Sequence, residues 1–483
     1  MGSPSWGRGA MVATSSPLAV EAALWALAEG GTAMDAALAS DAVLGVVQPM
    51  STGVGGDLFC LVDDGRQVAG FNGSGAAPRA LTLDACRQPG VWNDRSPLCV
   101  TVPGAVDGWT QLEERFGRLG LERTTAPARQ LAAQGFPLGV AAAATWRAED
   151  KRTRAESSLP RKPSAGQRVT NADLSATLDE IAAGGRDAHY EGAWAKAAVA
   201  ACEAAGGVLG LNDLASHRGE WVDPISTDYR GHTIVELPSN GQGAAVLAAL
   251  NELEREALGP VRMPETVART MSAVRHGMEM AYEHVADPRF ADIPPFWEAR
   301  DTVYTAVVAD DMCVSLISSV FMAFGSGIWA GGTFLQNRGY GFSLDAGHPN
   351  AVQGGKRPFH TIIPGLVRRH GRTETVLGVV GGPMQPQGQV QVLTHLVDHG
   401  LDPQAALDEP RAFWLGGDML ATEPGFADDV DDALRQAGFD VVADPVGSHW
   451  FGVGQVIRLH DDGWLEGGSD PRHDGIAVGE LHR

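Results

Sequence analysis

Hydrophobic residues recur along this chain in two rhythms. Over Pro17–Glu29 and Ala33–Val47 they follow a 3.6-residue repeat, with Gly30-Gly31 as a stop between, which predicts two consecutive helices. Both stretches are Ala-rich and apolar on more than one side, so they are expected to lie against a sheet. Leu58–Val62 and Gln67–Phe71 are short apolar runs, and Asp63-Asp64-Gly65 between them supplies the Asp-Gly of a hairpin turn. Further helices are predicted at Ala193–Ala204, Ala244–Glu256 and Glu265–His284.

The pattern changes near residue 290. Asp292–Arg300 contains Pro294-Pro295 and reads as a loop. The β-branched run Thr302–Ala309 follows, Asp310-Asp311 turns the chain, and Cys313–Val320 is a second such run. Together they predict the first hairpin of a buried sheet. A third run, Thr375–Val380, ends in Gly381-Gly382 and leads into a helix near Gln389–His399. Helices alternate with antiparallel-looking strands and no long repeat intervenes, which predicts a layered α+β fold.

Composition narrows the choice of function. The 483 residues can bury a large core, and 44% hydrophobic with 20% charged residues is ordinary for a globular chain. A formal charge of −22 argues against nucleic acid or an anionic membrane as the main partner. Cys60, Cys86, Cys99, Cys202 and Cys313 are odd in number and widely spaced, so no disulfide framework, structural metal or cofactor is predicted. Cys60 and Cys313 fall in apolar strands and read as inert buried thiols. Gly354-Gly355-Lys356-Arg357 lacks the rest of a phosphate loop, and Gly73–Pro78 meets a proline where a dinucleotide loop would open a helix. Residues 1–16 carry no apolar leader segment and no run of 18 apolar residues occurs, so the expectation is a soluble, cytoplasmic protein.

Chemistry enters at Asp301-Thr302. If that bond is cut, Thr302 gains a free α-amine with an unperturbed pKa of roughly 8. The amine can take the hydroxyl proton, so one residue supplies both nucleophile and base. An ordinary strand threonine reads the same way in isolation. Two glycines after a strand, Gly381 and Gly382, let backbone N–H groups approach an oxygen closely and stabilise its developing charge, or they simply make a tight strand-to-helix turn.

Longer blocks decide between these readings. GAMVATSSPLAVEAALWALAEGGTAMDAALASDAVLGVVQP, Ser51–Asp57, DTVYTAVVADD with VSLISSVFMAFGSGIW, KRPFHTIIPG, VVGGPMQPQGQVQV and GGSDPRHDGIAVG occur in order over nearly the whole chain. This set resembles the gamma-glutamyltranspeptidase family. The resemblance implies a four-layer αββα sandwich of the N-terminal nucleophile hydrolase type, and a precursor that cuts itself between Asp301 and Thr302. Residues 1–301 would form the large subunit and 302–483 the small one, together one αββα domain. Thr302 falls on the family's nucleophile, Ser319 on a supporting second hydroxyl, and Gly381 and Gly382 on its oxyanion pair. The partners implied are a small-molecule amide substrate and the chain's own cleaved subunit as a heterodimer, with further self-association open.

The acyl-binding positions depart from the transpeptidase pattern. Ser74 stands where the family's carboxylate-binding Arg is expected, His360-Thr361 replace paired serines, Phe321 replaces an amide side chain, and Gly341 replaces an acid that binds ammonium. Arg338 arrives in the same block and is suited to a substrate carboxylate, though a structural ion pair would explain it as well. His360 either donates to a substrate carboxyl or satisfies a backbone carbonyl. Asp57 reads as polar core, and Asp470-Pro-Arg472 as structural. The combination resembles the family's acylase-like and oxamate-amidohydrolase-like branch. The expected activity is hydrolysis of a γ-glutamyl, glutaryl or oxamyl-like amide. Two rivals stay open: an enzyme diverted to removing an acyl fragment in secondary metabolism, even by C–C cleavage, and an inactive binding protein.

Overall fold

The computed structural model describes residues 2–153, 157–290, 302–443 and 451–481. The predicted loop Asp292–Arg300 and Asp301 lie outside the described residues.

Two seven-stranded antiparallel sheets dominate. The first runs, edge to edge, Ile476–Glu480, Ala10–Thr14, Val303–Ala309, Met312–Ser319, Asp57–Asp63, Val68–Asn72 and Glu220–Val222. The second runs Ser5–Gly7, Leu465–Ser469, Val453–Leu459, Arg372–Val380, Gly365–Arg369, His232–Glu236 and Ile225–Tyr229. Both predicted hairpins are present: Asp57–Asp63 pairs with Val68–Asn72, and Val303–Ala309 with Met312–Ser319.

Every residue of Val303–Ala309 is buried, because the strand is covered on both faces. Tyr304, Ala306 and Val308 point between the sheets, where they join Met11, Phe59 and Ile317 against Val235, Leu366, Val376 and Ile457. Val303, Val307 and Ala309 point the other way, into the core shared with helices Pro17–Ala28 and Ala33–Val47. This period-two division is what a central strand requires, and it explains why the run reads as continuously apolar. The outer face of the second sheet is covered by helices Gly243–Leu253, Pro264–His284 and Met384–Val397. Helix, sheet, sheet, helix is the expected four-layer sandwich.

Local signals placed most helices. Gly30 ends the first at φ +85°, and Thr32 opens the second with a reciprocal cap to Asp35. The helix after Gly381-Gly382 begins at Met384, five residues before the predicted start and in spite of Pro386. A proline in the first turn costs no intrahelical hydrogen bond, since those N–H groups have no partner anyway. No helix among the described residues is long and apolar enough to cross a membrane.

Candidate active site

Thr302 sits at the head of Val303–Ala309. The register Val303↔Ser318 brings it beside Ser319, the last residue of the partner strand. Its Oγ1 lies 3.4 Å from Ser319 Oγ, and Ser319 Oγ accepts the Phe321 N–H at 2.8 Å. The side chain is largely enclosed, at 7% exposure, while Ser319 is fully buried. From the second sheet's side, Gln385 Nε2 donates to Thr302 Oγ1 at 3.2 Å. The orientation of that amide is set by its other end, because Gln385 Oε1 accepts the Ile363 N–H at 3.0 Å.

Gln385 lies in the first turn of helix Met384–Val397, directly after the glycine pair. Gly381 has φ +126° and Gly382 φ +61°, a backbone path that disfavours L side chains. A Cβ on Gly381 would come within 3.1 Å of Gly452 Cα and 3.2 Å of Met384 Cβ. Gln242 Nε2 ties the turn down, donating to Gly382 O at 2.9 Å and to Thr361 O at 2.6 Å. A turn held this way, at the start of a helix, is suited to presenting N–H groups to an oxyanion.

The other predicted residues form a buried polar cluster reached through Thr361. Arg338 has no solvent exposure; its Nη1 donates to Thr361 Oγ1 at 2.8 Å, and its guanidinium carbon lies 4.0 Å from the centre of the Phe321 ring. Its Nε and Nη2 have no hydrogen-bond partner among the described residues. Burial pulls the Arg338 guanidinium down to about 9, with Asp57 opposing the shift. Asp57 accepts from Gly75 N–H, Gly104 N–H and Gln336 Nε2 on one oxygen, at 3.2, 3.0 and 2.8 Å, and meets His360 Nε2 at 2.9 Å on the other. Burial raises its carboxyl to about 7, against the pull of Arg338 and these donors.

His360 is wholly enclosed, and burial, with Arg338 and Arg357, holds its pKa well below the usual value. The ring is therefore neutral. Nδ1 faces the Ile362 N–H at 3.4 Å, so the proton resides on Nε2 and is donated to Asp57. Both ring nitrogens thus face protein groups: the histidine satisfies the Asp57 carboxylate rather than the backbone carbonyl weighed from sequence. Ser74 Oγ accepts from Asn240 Nδ2 at 3.0 Å, and Asn240 also donates to Pro358 O. Ser74 is fully buried.

Thr302, Ser319 and Gln385 are thus in direct contact, Thr361 links Arg338 to the glycine turn through Gln242, and Ser74 sits on Asn240, whose backbone carbonyl accepts the His360 N–H at 2.8 Å. Gln385 and Gln242 were not singled out from sequence. The available signal was the run Gln385, Gln387, Gln389 and Gln391, four amides in one helix, all of which are buried. Asp57 is polar core, as read, and is the hub of the cluster. Asp470 and Arg472 are structural, joined to Arg411 and Glu423. All five cysteines are buried, and none forms a disulfide among the described residues.

Comparison with known proteins fits this geometry. The family model described as Gamma-glutamyltranspeptidase matches residues 19–300 and 297–480. The glutathione hydrolase-like YwrD proenzyme of Bacillus subtilis is 35% identical, covering 97% of this chain and 98% of its own. The oxamate amidohydrolase proenzyme of Klebsiella pneumoniae is 31% identical over 96% of this chain and 97% of its own. The crystal structure of cephalosporin acylase from Bacillus halodurans superposes with a TM-score of 0.92 at 35% identity, covering 99% of this chain and 97% of that one. With the sandwich, the Thr302 site and these matches in agreement, the chain is an enzyme belonging to the gamma-glutamyltranspeptidase family, in its acylase and amidohydrolase-like branch.

Proposed function

We propose that this enzyme is a self-processing amide hydrolase whose nucleophile is Thr302, released as an N-terminus by cleavage after Asp301. The large subunit is then residues 1–301 and the small subunit 302–483, 182 residues, held together as one sandwich. The observation that carries the reading is the seat of Thr302 Oγ1 between Ser319 Oγ and Gln385 Nε2, 3.4 and 3.2 Å away.

In the reaction, Thr302 Oγ attacks the amide carbonyl and its proton passes to the Thr302 α-amine. Gly381 and Gly382 N–H groups bear the oxyanion of the tetrahedral intermediate. The C–N bond breaks, the leaving amine takes the proton from the α-ammonium, and an ester on Thr302 remains. Water, deprotonated by the same amine, adds to the ester, and the acid departs as Oγ is reprotonated.

The acyl group is small and carries a carboxylate, as in a glutaryl, oxamyl-like or γ-glutamyl amide. Arg338 supports this choice: it is a fully buried cation whose Nε and Nη2 are unpartnered among the described residues. Relatives named oxamate amidohydrolase and cephalosporin acylase support it as well. Intact-mass analysis tests the core of the reading. Wild-type protein should give chains of 301 and 182 residues, and Thr302→Ala one inactive chain of 50.7 kDa. Full turnover by an uncut chain would refute it.

A further inference from the structure

Thr302 Oγ1 receives a hydrogen bond that neither its own amine nor the glycine pair can supply. The donor is Gln385 Nε2 at 3.2 Å. Gln385 is fully buried, its amide cannot turn over without losing the Ile363 N–H held by Oε1 at 3.0 Å, and its backbone N–H is spent on Gly382 O at 3.0 Å. The side chain is thus fixed at both ends as a donor aimed at the nucleophile oxygen. Ser319 Oγ is the acceptor on the other side of Thr302, at 3.4 Å, and is itself held by the Phe321 N–H. The hydroxyl is therefore polarised in one direction: an N–H enters from Gln385 and the O–H leaves toward Ser319.

We infer that Gln385 is a catalytic residue that stabilises negative charge on Thr302 Oγ, both as that oxygen is deprotonated for attack and as it leaves the acyl-enzyme. This rests on Thr302 being the nucleophile. The bookkeeping of atoms is unchanged by it. In acylation the Oγ–H bond breaks as Oγ–C forms, the proton going to the α-amine. In deacylation the C–Oγ bond breaks and the electron pair returns to Oγ, where the Gln385 N–H meets it before the α-ammonium returns the proton. The oxyanion pair cannot do this, because it serves the carbonyl oxygen, a different atom. An ion is also avoided: a carboxylate at this position would repel the developing charge, and a buried Lys would leave Ile363 N–H without its acceptor.

The test uses Gln385→Met, which keeps the volume and removes the donor, and Gln385→Glu, which keeps the Oε1 acceptor and the shape but turns the donor into an acceptor. Each is compared with wild type and Thr302→Ala as full chains. Self-cleavage is timed on a gel, and turnover of glutaryl-, γ-glutamyl- and oxalyl-4-nitroanilide is measured per molecule of processed enzyme, so that unfolded or uncut protein does not enter the rate. Loss of one preorganised donor on a developing oxyanion costs roughly 10²-fold in rate. Both Gln385 variants should cut themselves about 10²-fold more slowly at pH 8, and the processed fraction should lose kcat with a parallel fall in KM as deacylation becomes the slow step. Mass analysis during turnover should find the small chain carrying the acyl group, since the departing oxygen has lost its support; a residue that merely supported the fold would not cause that accumulation. If Thr302→Ala is inert while Gln385→Met and Gln385→Glu cleave and turn over at wild-type rates, the role of Gln385 is overturned and the nucleophile stands. If Thr302→Ala still cuts itself and turns over, both fall.

Discussion

Replacing Asp470 with Asn tests how the C-terminal block holds the active-site turn. The carboxylate is fully buried, and it accepts from Arg411 Nη2 at 2.7 Å, Gly454 N–H at 2.9 Å, and Arg472 N–H and Nη1, each at 3.0 Å. Arg411, 1% exposed, carries the constraint onward: its Nη1 donates to Phe451 O at 3.1 Å and Gly452 O at 3.0 Å. Gly452 backs onto Gly381, so the ion pair buttresses the glycine turn from behind. Removing one charge from a buried, hydrogen-bonded pair costs about 3–5 kcal/mol, because the remaining cation stays buried. An unfolding entropy of about 2.1 cal/mol/K per residue gives about 1 kcal/mol per degree for this chain, so the expected fall in melting temperature is about 3–5 °C at pH 7. Burial pushes the Asp470 carboxyl up, but Arg411, Arg472 and the Gly454 and Arg472 N–H groups outweigh it and leave the carboxyl below its ordinary 3.8. A depressed folded pKa contributes stability that is present above the unfolded value and is lost as pH falls through the folded one. The gap between wild type and Asp470→Asn should therefore be full at pH 7 and narrow below about pH 4. Differential scanning calorimetry at fixed scan rate measures it. Equal melting temperatures at pH 7, or a gap that widens in acid, would refute the reasoning.

Two further outcomes are expected. Glu236 is fully buried with neither carboxyl oxygen hydrogen-bonded among the described residues, and burial lifts its pKa well above the ordinary 4.5; a raised folded pKa gives stability that is lost as pH climbs, so Glu236→Gln should gain on wild type as pH rises above 4.5 in a thermal melt, and parallel curves would contradict this. Arg338→Met should lower kcat/KM for glutaryl-4-nitroanilide about 10-fold to 10²-fold, the value of a charge-assisted hydrogen bond, and should remove the preference over the uncharged valeryl anilide; an unchanged preference would place the acyl carboxylate elsewhere.

Much of this protein is decided locally, and that part could be read from the chain. Ala33–Val47 is a helix because its repeat and its Thr32 cap are sequence-adjacent, and Asp63-Asp64-Gly65 is a turn for the same reason. The Asp301-Thr302 junction and the Gly381-Gly382 pair could be singled out as the candidate nucleophile and oxyanion turn because each is contiguous and falls in a block that resembles the family. Sequence misplaced the start of helix Met384–Val397 because Pro386 reads as a breaker everywhere except in a first turn.

What only the tertiary structure decided is who meets whom. Ala10–Thr14 lies beside Val303–Ala309 across almost 300 residues of chain, and nothing in either strand names the other, since any exposed ladder edge offers the same N–H and C=O groups. Asp57 and His360 are paired across the same kind of distance, which sets both nitrogens of the His360 ring against protein groups. Gln385 became a candidate for chemistry only when the two sheets stacked and set its amide against Thr302. Hydrogen bonds act over about 3 Å, so their partners are fixed by packing in space and not by order along the chain.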